Sequence, residues 1–169
     1  MSDTVVHELR LADARDFLPQ AIELAVQNAA AGQLPFGALV VRDGEVLGAG
    51  VNREVHDHDP TAHAEVDAIR NACRDLRTLN LSGAVLVSSC EPCALCHVST
   101  VVAGISRVVY AASSEQASAM LGGADDSSRT MLPEMQQALR GLTPGQLVHV
   151  PTDGDGRPFE RYAEQERRS

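Results

Sequence analysis

Tryptophan is absent from this 169-residue chain, and three Phe and two Tyr supply all its aromatic rings. Basic residues are scarce as well, 14 Lys and Arg against 23 Asp and Glu, for a formal net charge of −9. A nucleic-acid phosphate backbone is held largely by Lys/Arg surfaces, so this balance argues against a nucleic-acid partner and for a small neutral or weakly charged one. No apolar run reaches the roughly 18 residues that a membrane span requires, and no membrane partner is expected. The start, Met1 to Glu8, has neither a basic n-region nor an apolar h-region, so it does not read as a signal peptide. With four cysteines a disulfide framework is not indicated, and a reduced, cytoplasmic protein is expected. Internal repeats and low-complexity tracts are also missing.

What remains is a chain with 44% hydrophobic residues, enough for one globular domain over 1–169. Residues Asp13 to Gly32 read as an amphipathic helix with Phe17, Ala21, Leu24, Ala25 and Asn28 near one face. Strands are predicted over Phe36 to Arg42 and Val46 to Val51, joined by the hairpin signal Asp43-Gly44. A loop from Asn52 to Thr61 leads to a helix over Ala62 to Leu76. A buried strand, Ala84 to Ser88, precedes a helix carrying Cys93 and Cys96, and Arg107 to Ala111 is the next strand. Helices near Ser114 to Leu121 and Ser127 to Leu142, and a short strand from Gln146 to Val150, complete the series. This order predicts an α/β fold, a mixed sheet between helices. Residues 151–169 are polar and read as a tail.

Two stretches carry the chemistry. Asp59-Pro60-Thr61-Ala62-His63-Ala64-Glu65 offers an imidazole and a carboxylate; Ser89-Cys90-Glu91-Pro92-Cys93-Ala94-Leu95-Cys96 offers two thiols three apart. Residues i and i+3 share a helix side, so both sulfurs can face one ion, and a helix start favours thiolates. With His63 as third ligand, a tetrahedral zinc keeps one open position, the mark of a catalytic rather than a structural site. Glu65 lies about 200° around a helix from His63, poorly placed to share the ion and well placed to handle protons beside it. The competing reading is a closed structural zinc whose fourth ligand is Cys73, Cys90, His56, His58 or His97; it gives Glu65 no task.

His63-Ala64-Glu65 with Pro92-Cys93-Ala94-Leu95-Cys96 resembles the H-x-E…P-C-x-x-C signature of the zinc-dependent cytidine deaminase superfamily. The resemblance runs from about Pro35 to Tyr110. Pro35-Phe36-Gly37-Ala38, Asn52, Asp59 to Glu65 and Ser89 to Cys96 look most like the bacterial guanine deaminase branch, while tRNA adenosine deaminases share much of this wording. The resemblance implies a three-layer α/β/α sandwich, a zinc ion on His63, Cys93 and Cys96, and hydrolytic deamination of a small amino-heterocycle such as guanine. Cytosine or cytidine is the alternative substrate, and an idle zinc-binding module the alternative class. Glu65 is then the proton carrier. Asn52 and the Ala64 backbone N–H would meet the base, Phe36 would stack on it, and the backbone carbonyl of Ser88 or Ser89 would accept from the departing amine. Guanine deaminases place an Asp after the strand that follows the cysteine helix; here Glu115 or Gln116 occupies that region. They also close the site with a C-terminal segment, in some cases swapped between subunits. Phe159 or Tyr162, for which the core offers no obvious home, is therefore expected to cap the pocket of a homodimer. His97 reads as a half-exposed helix residue.

Overall fold

The computed structural model describes residues 13–121 and 132–168. Five strands form one mixed sheet in the order β2-β1-β3-β4-β5, comprising β1 (Gly37–Arg42), β2 (Glu45–Val51), β3 (Val85–Cys90), β4 (Arg107–Ala112) and β5 (Leu147–His149). β1 runs antiparallel to both β2 and β3, whereas β3, β4 and β5 are parallel. The β1–β2 hairpin turns at Asp43 and Gly44, both at positive φ (52° and 78°), as a tight two-residue turn that follows the strand twist requires.

Strand alternation divides the core in two. Leu39, Val41, Val87 and Val109 point to the face covered by α1 (Leu18–Ala30), through Leu18, Ala21 and Ile22. Ala38, Val40, Leu86 and Val108 point to the opposite face, covered by α3 (Ala64–Leu76) through Ala64, Ala68, Ile69 and Ala72. Period-two side chains on the strands thus build an α/β/α sandwich. α1 is shorter than the helix expected over 13–32. Residues 13–15 are helical, 16 and 17 turn, and the helix restarts with Pro19 in its first turn, where a missing N–H costs least. The expected loop after Asn52 contains one helical turn, α2 (Glu54–Asp57).

The close seating of α3 comes from small residues on both sides. A Cβ on Gly50 would lie 2.2 Å from the Ala68 nitrogen and 2.4 Å from the Ala64 oxygen; one on Gly48 would lie 2.6 Å from the Ala68 oxygen. Glycines at i and i+2 of β2 therefore admit the alanines at i, i+4 and i+8 of α3 to backbone contact. Asn71 Nδ2 adds a bond to the Ala49 carbonyl at 2.8 Å. This seating fixes the height of the helix start, where His63 and Glu65 stand.

Beyond α4 (Ala94–Val102) and β4, the chain forms α5 (Ser114–Leu121), α6 (Leu132–Leu142) and α7 (Arg157–Glu166). The expected helix over 127–142 is described only from Leu132; its residues 127–131 lie outside the described residues. The tail differs from expectation. Residues 157–166 are a helix, with Phe159 fully buried against Cys90, Ala112 and Ala117 and edge-on to Phe36 at 6.0 Å. α7 packs on α1 and α5 of its own chain, and Arg157 pairs with Glu23 of α1 at 3.2 Å. Phe159 thus has a core home, supplied by groups more than forty residues distant in sequence.

Candidate active site

His63 and Cys93 each occupy the residue just before a helix, in extended conformation (ψ 152° and 177°), rather than within the first turn as the sequence implied for His63. Cys96 lies one turn into α4. Two helix N-termini, from α3 and α4, consequently converge on one point. His63 Nδ1 is 3.6 Å from Cys93 Sγ and 3.4 Å from Cys96 Sγ, and the two sulfurs are 3.6 Å apart. A tetrahedral zinc with Zn–S of about 2.3 Å and Zn–N of about 2.0–2.1 Å requires about 3.8 Å between sulfurs and about 3.6 Å between sulfur and nitrogen. The triangle matches that ion to within a few tenths of an ångström. Among the described residues no fourth His, Cys, Asp or Glu joins it. Of the rival fourth ligands, Cys90 Sγ contacts the Ser113 carbonyl at 3.8 Å, and His56 Nδ1 lies 2.5 Å from Asp57.

The electrostatics fit a metal-binding group. Considered as protein groups alone, Cys93 is held down at about 4, chiefly because Cys96 donates toward its thiolate, with His63 assisting against the effect of burial. Cys96 correspondingly keeps its proton, pushed well above the usual thiol range by Cys93 and by burial. Burial would lower His63, but the Cys93 thiolate and the Glu65 and Glu54 carboxylates raise it to about 9. Such a triangle holds protons that a dication displaces.

Glu65 is 6% exposed. Its Oε1 accepts from Ser88 Oγ at 3.0 Å, and its Oε2 lies 3.3 Å from Cys96 Sγ. Burial, reinforced by the nearby Cys93 charge, raises its carboxyl above the ordinary range. A buried carboxyl beside the ligands, with a raised proton affinity, suits proton transfer.

The structure brings several other candidates to this point. Asn52 is buried, its backbone N–H bonded to the Phe36 carbonyl at 3.1 Å and its own carbonyl accepting from Asn28 Nδ2 at 2.8 Å. Ala64 opens α3, so its N–H has no intrahelical acceptor. Phe36 is partly buried between the core and Phe159. Ser89 Oγ is tied to β1, accepting from the Gly37 N–H at 3.1 Å, while it is Ser88 whose side chain reaches Glu65. Alternation along β3 sends these two neighbours to opposite faces.

Others are not brought to it. Glu115 is exposed on α5, and Gln116 Nε2 donates to Asp155 at 2.9 Å. Tyr162 is partly buried on α7, its phenol donating to Glu166. His97 is fully buried rather than half-exposed, with Nε2 2.7 Å from Thr143 Oγ1 and 2.6 Å from Gln146 Oε1. It ties α4 to the turn before β5, a long-range pairing that local periodicity does not encode. Two carboxylates went unmarked in the sequence. Glu54 Oε2 accepts from Asn52 Nδ2 at 2.5 Å. Glu91 is buried next to the cysteine helix, accepts from Ser114 N and Oγ at 3.1 and 2.8 Å, and pairs with Arg140. Its position two residues before Cys93 was the one available signal.

Comparison with known proteins agrees with this geometry. The family model for the cytidine and deoxycytidylate deaminase zinc-binding region matches residues 12–112. The guanine deaminase of Bacillus subtilis (strain 168) is 44% identical over 112 residues, 66% of this chain and 70% of that protein. A tRNA-specific adenosine deaminase of Buchnera aphidicola subsp. Baizongia pistaciae is 38% identical over 96 residues, 57% of this chain and 59% of that protein. Among solved structures, a mutant of NE0047 in complex with 8-azaguanine superposes with a TM-score of 0.69 at 26% identity, covering 90% of this chain and 83% of that one. The match spans both halves of the metal triangle and its carboxylate, and the chain belongs to the cytidine and deoxycytidylate deaminase zinc-binding family.

Proposed function

We propose that this protein is a zinc-dependent hydrolytic deaminase of a free aminopurine, guanine first, releasing ammonia. The observation that carries the reaction class is the His63–Cys93–Cys96 triangle at tetrahedral-zinc spacing with buried Glu65 at its side. When bound there, zinc supplies an activated water, lowering its pKa to about 7. Glu65 would take one proton from that water and pass it to a ring nitrogen. It would then take the second from the hydroxyl now on the ring carbon and give it to the leaving amine, so that ammonia departs as the oxo group forms. Ser88 holds the carboxyl in place through Oε1. Asn52 offers a heterocycle edge one remaining N–H and one remaining lone pair, the Ala64 N–H offers a donor, and Phe36 offers a ring face backed by Phe159. α7 thereby acts as a wall of the pocket from within its own chain, and this arrangement requires no exchange of the tail.

Support for guanine comes from the 44% identity with a guanine deaminase and from the superposition on an 8-azaguanine complex. A tRNA substrate is favoured less, because the net charge is −9 and a phosphate backbone calls for a cationic surface. The assembly proposed is a homodimer through α4, whose Val98, Val101 and Val102 are 45%, 50% and 79% exposed on one apolar stripe of the helix that carries Cys96. Ammonia release from guanine, cytosine, cytidine, adenine, aminotriazines and an unmodified tRNA tests the substrate reading. Guanine should be turned over with the highest kcat/KM; preference for tRNA or for a pyrimidine overturns it.

A further inference from the structure

Glu54 stands between the two halves of the site. Its Oε2 accepts from Asn52 Nδ2 at 2.5 Å, and its backbone N–H donates to Asn52 Oδ1 at 3.1 Å. Its other carboxylate oxygen, Oε1, lies 3.7 Å from His63 Nε2. That separation is ion-pair contact rather than a hydrogen bond, and both side chains are largely shielded, at 24% and 21% exposure.

Both contacts settle an ambiguity. A histidine ligand needs one ring nitrogen unprotonated, and the partner of the other nitrogen decides which one it is. His63 turns Nδ1 to the sulfurs, leaving Nε2 toward Glu54. A carboxylate there favours the N–H on Nε2 and the lone pair on Nδ1. An asparagine amide can likewise sit in two orientations, which exchange the donor and acceptor offered to a ligand. A carboxylate only accepts and a backbone N–H only donates, so Glu54 permits one of the two. The Asn52 backbone is already pinned by Phe36 and Asn28, which leaves the amide flip as its main remaining freedom.

We propose that Glu54 is a positioning residue that couples the metal triangle to the base-recognising amide, one oxygen orienting His63 and the other Asn52. The inference rests, for its second half, on the reading of Asn52 as a substrate contact. α2 itself buries no residue, and its other acidic member, Asp57, pairs at 2.8 Å with Arg53, the residue just before the helix. Replacing Glu54 therefore leaves the core untouched.

The test compares zinc-loaded wild type with Glu54→Gln, Glu54→Ala and Asn52→Ala, reading zinc release to an excess of a chromogenic chelator and Michaelis parameters for guanine. Both Glu54 variants should release zinc about 10–100-fold faster, the range for losing an outer-shell partner of a histidine ligand. Glu54→Ala should also raise KM toward the value of Asn52→Ala. Glu54→Gln, which can still accept from Asn52, should raise it less. Asn52→Ala should release zinc at the wild-type rate. Wild-type zinc release in both Glu54 variants overturns the proposal, and so does an unchanged KM in Glu54→Ala. If guanine is not a substrate, the function reading fails by itself while zinc release still decides the role of Glu54.

Discussion

Alanine at Gly50 is the sharpest structural perturbation available, because it strikes the backbone seat of the catalytic helix and no side chain of the metal triangle. Its Cβ would sit 2.2 Å from the Ala68 nitrogen and 2.4 Å from the Ala64 oxygen, where ordinary contact begins at 3.4 Å. Both obstacles are backbone, so no rotamer change relieves them, and α3 must withdraw from β2 by about 1 Å at the end that carries His63 and Glu65. Overpacking of this kind costs about 1–3 kcal/mol. That outweighs the roughly 0.4–1 kcal/mol that a glycine-to-alanine change gains through the unfolded chain. The catalytic effect should be larger, because a displacement of about 1 Å in a reacting constellation costs on the order of 100-fold in rate. Gly48→Ala is the control. It meets Ala68 and Ala72, one turn further from His63, at 2.6 Å. Urea unfolding and ammonia release should show similar stability losses for the two variants and the greater loss of kcat for Gly50→Ala. A Gly50→Ala protein with wild-type stability and turnover would refute the close-seating argument.

Zinc uptake by the metal-free protein at pH 7.5 should release about two protons, one from Cys96 and one from His63, since Cys93 at about 4 is already a thiolate. As pH rises past about 9, His63 loses its proton beforehand and the number should fall toward one; calorimetry in buffers of different ionisation enthalpy reads it directly. Ser88→Ala removes a hydrogen bond to the Glu65 carboxyl, a contact of about 1.5–3 kcal/mol when charged, so kcat should drop at least about tenfold with zinc content intact. Phe159→Ala should cost about 3–5 kcal/mol in chemical denaturation, as for a fully buried ring, whereas Tyr162→Phe should leave turnover near wild type. Val102→Glu should convert a dimer to a monomer in sedimentation, since a charge would enter the exposed stripe of α4.

The features legible in the sequence were those written locally. Asp43-Gly44 announced the hairpin, a short buried run announced β3, and the thiol spacing announced a pair of ligands on one helix side. The glycines at 48 and 50 and the alanines at 64, 68 and 72 also formed regular patterns, but their meaning required knowing that β2 and α3 touch. Glu54, Glu91, His97 and the side-chain role of Ser88 were opaque for the same reason. Each owes its position to a partner across the fold, namely His63, Glu65, Arg140 and Gln146. Phe159 looked homeless because its neighbours Phe36, Cys90 and Ala112 come from three separate stretches of the chain. Glu115, read by its place after β4, faces solvent, since the buried carboxylate at that junction is Glu91, bonded to the first turn of α5.

The account turns on Glu65 serving as a proton carrier beside the metal rather than as one of its ligands. Zinc content and guanine turnover measured on the same preparations of wild type and Glu65→Ala test this most directly. One zinc per chain should be found in both proteins, with turnover lost by several orders of magnitude only in the variant. A variant that loses its zinc, or one that keeps zinc and still deaminates at near wild-type rate, would contradict it.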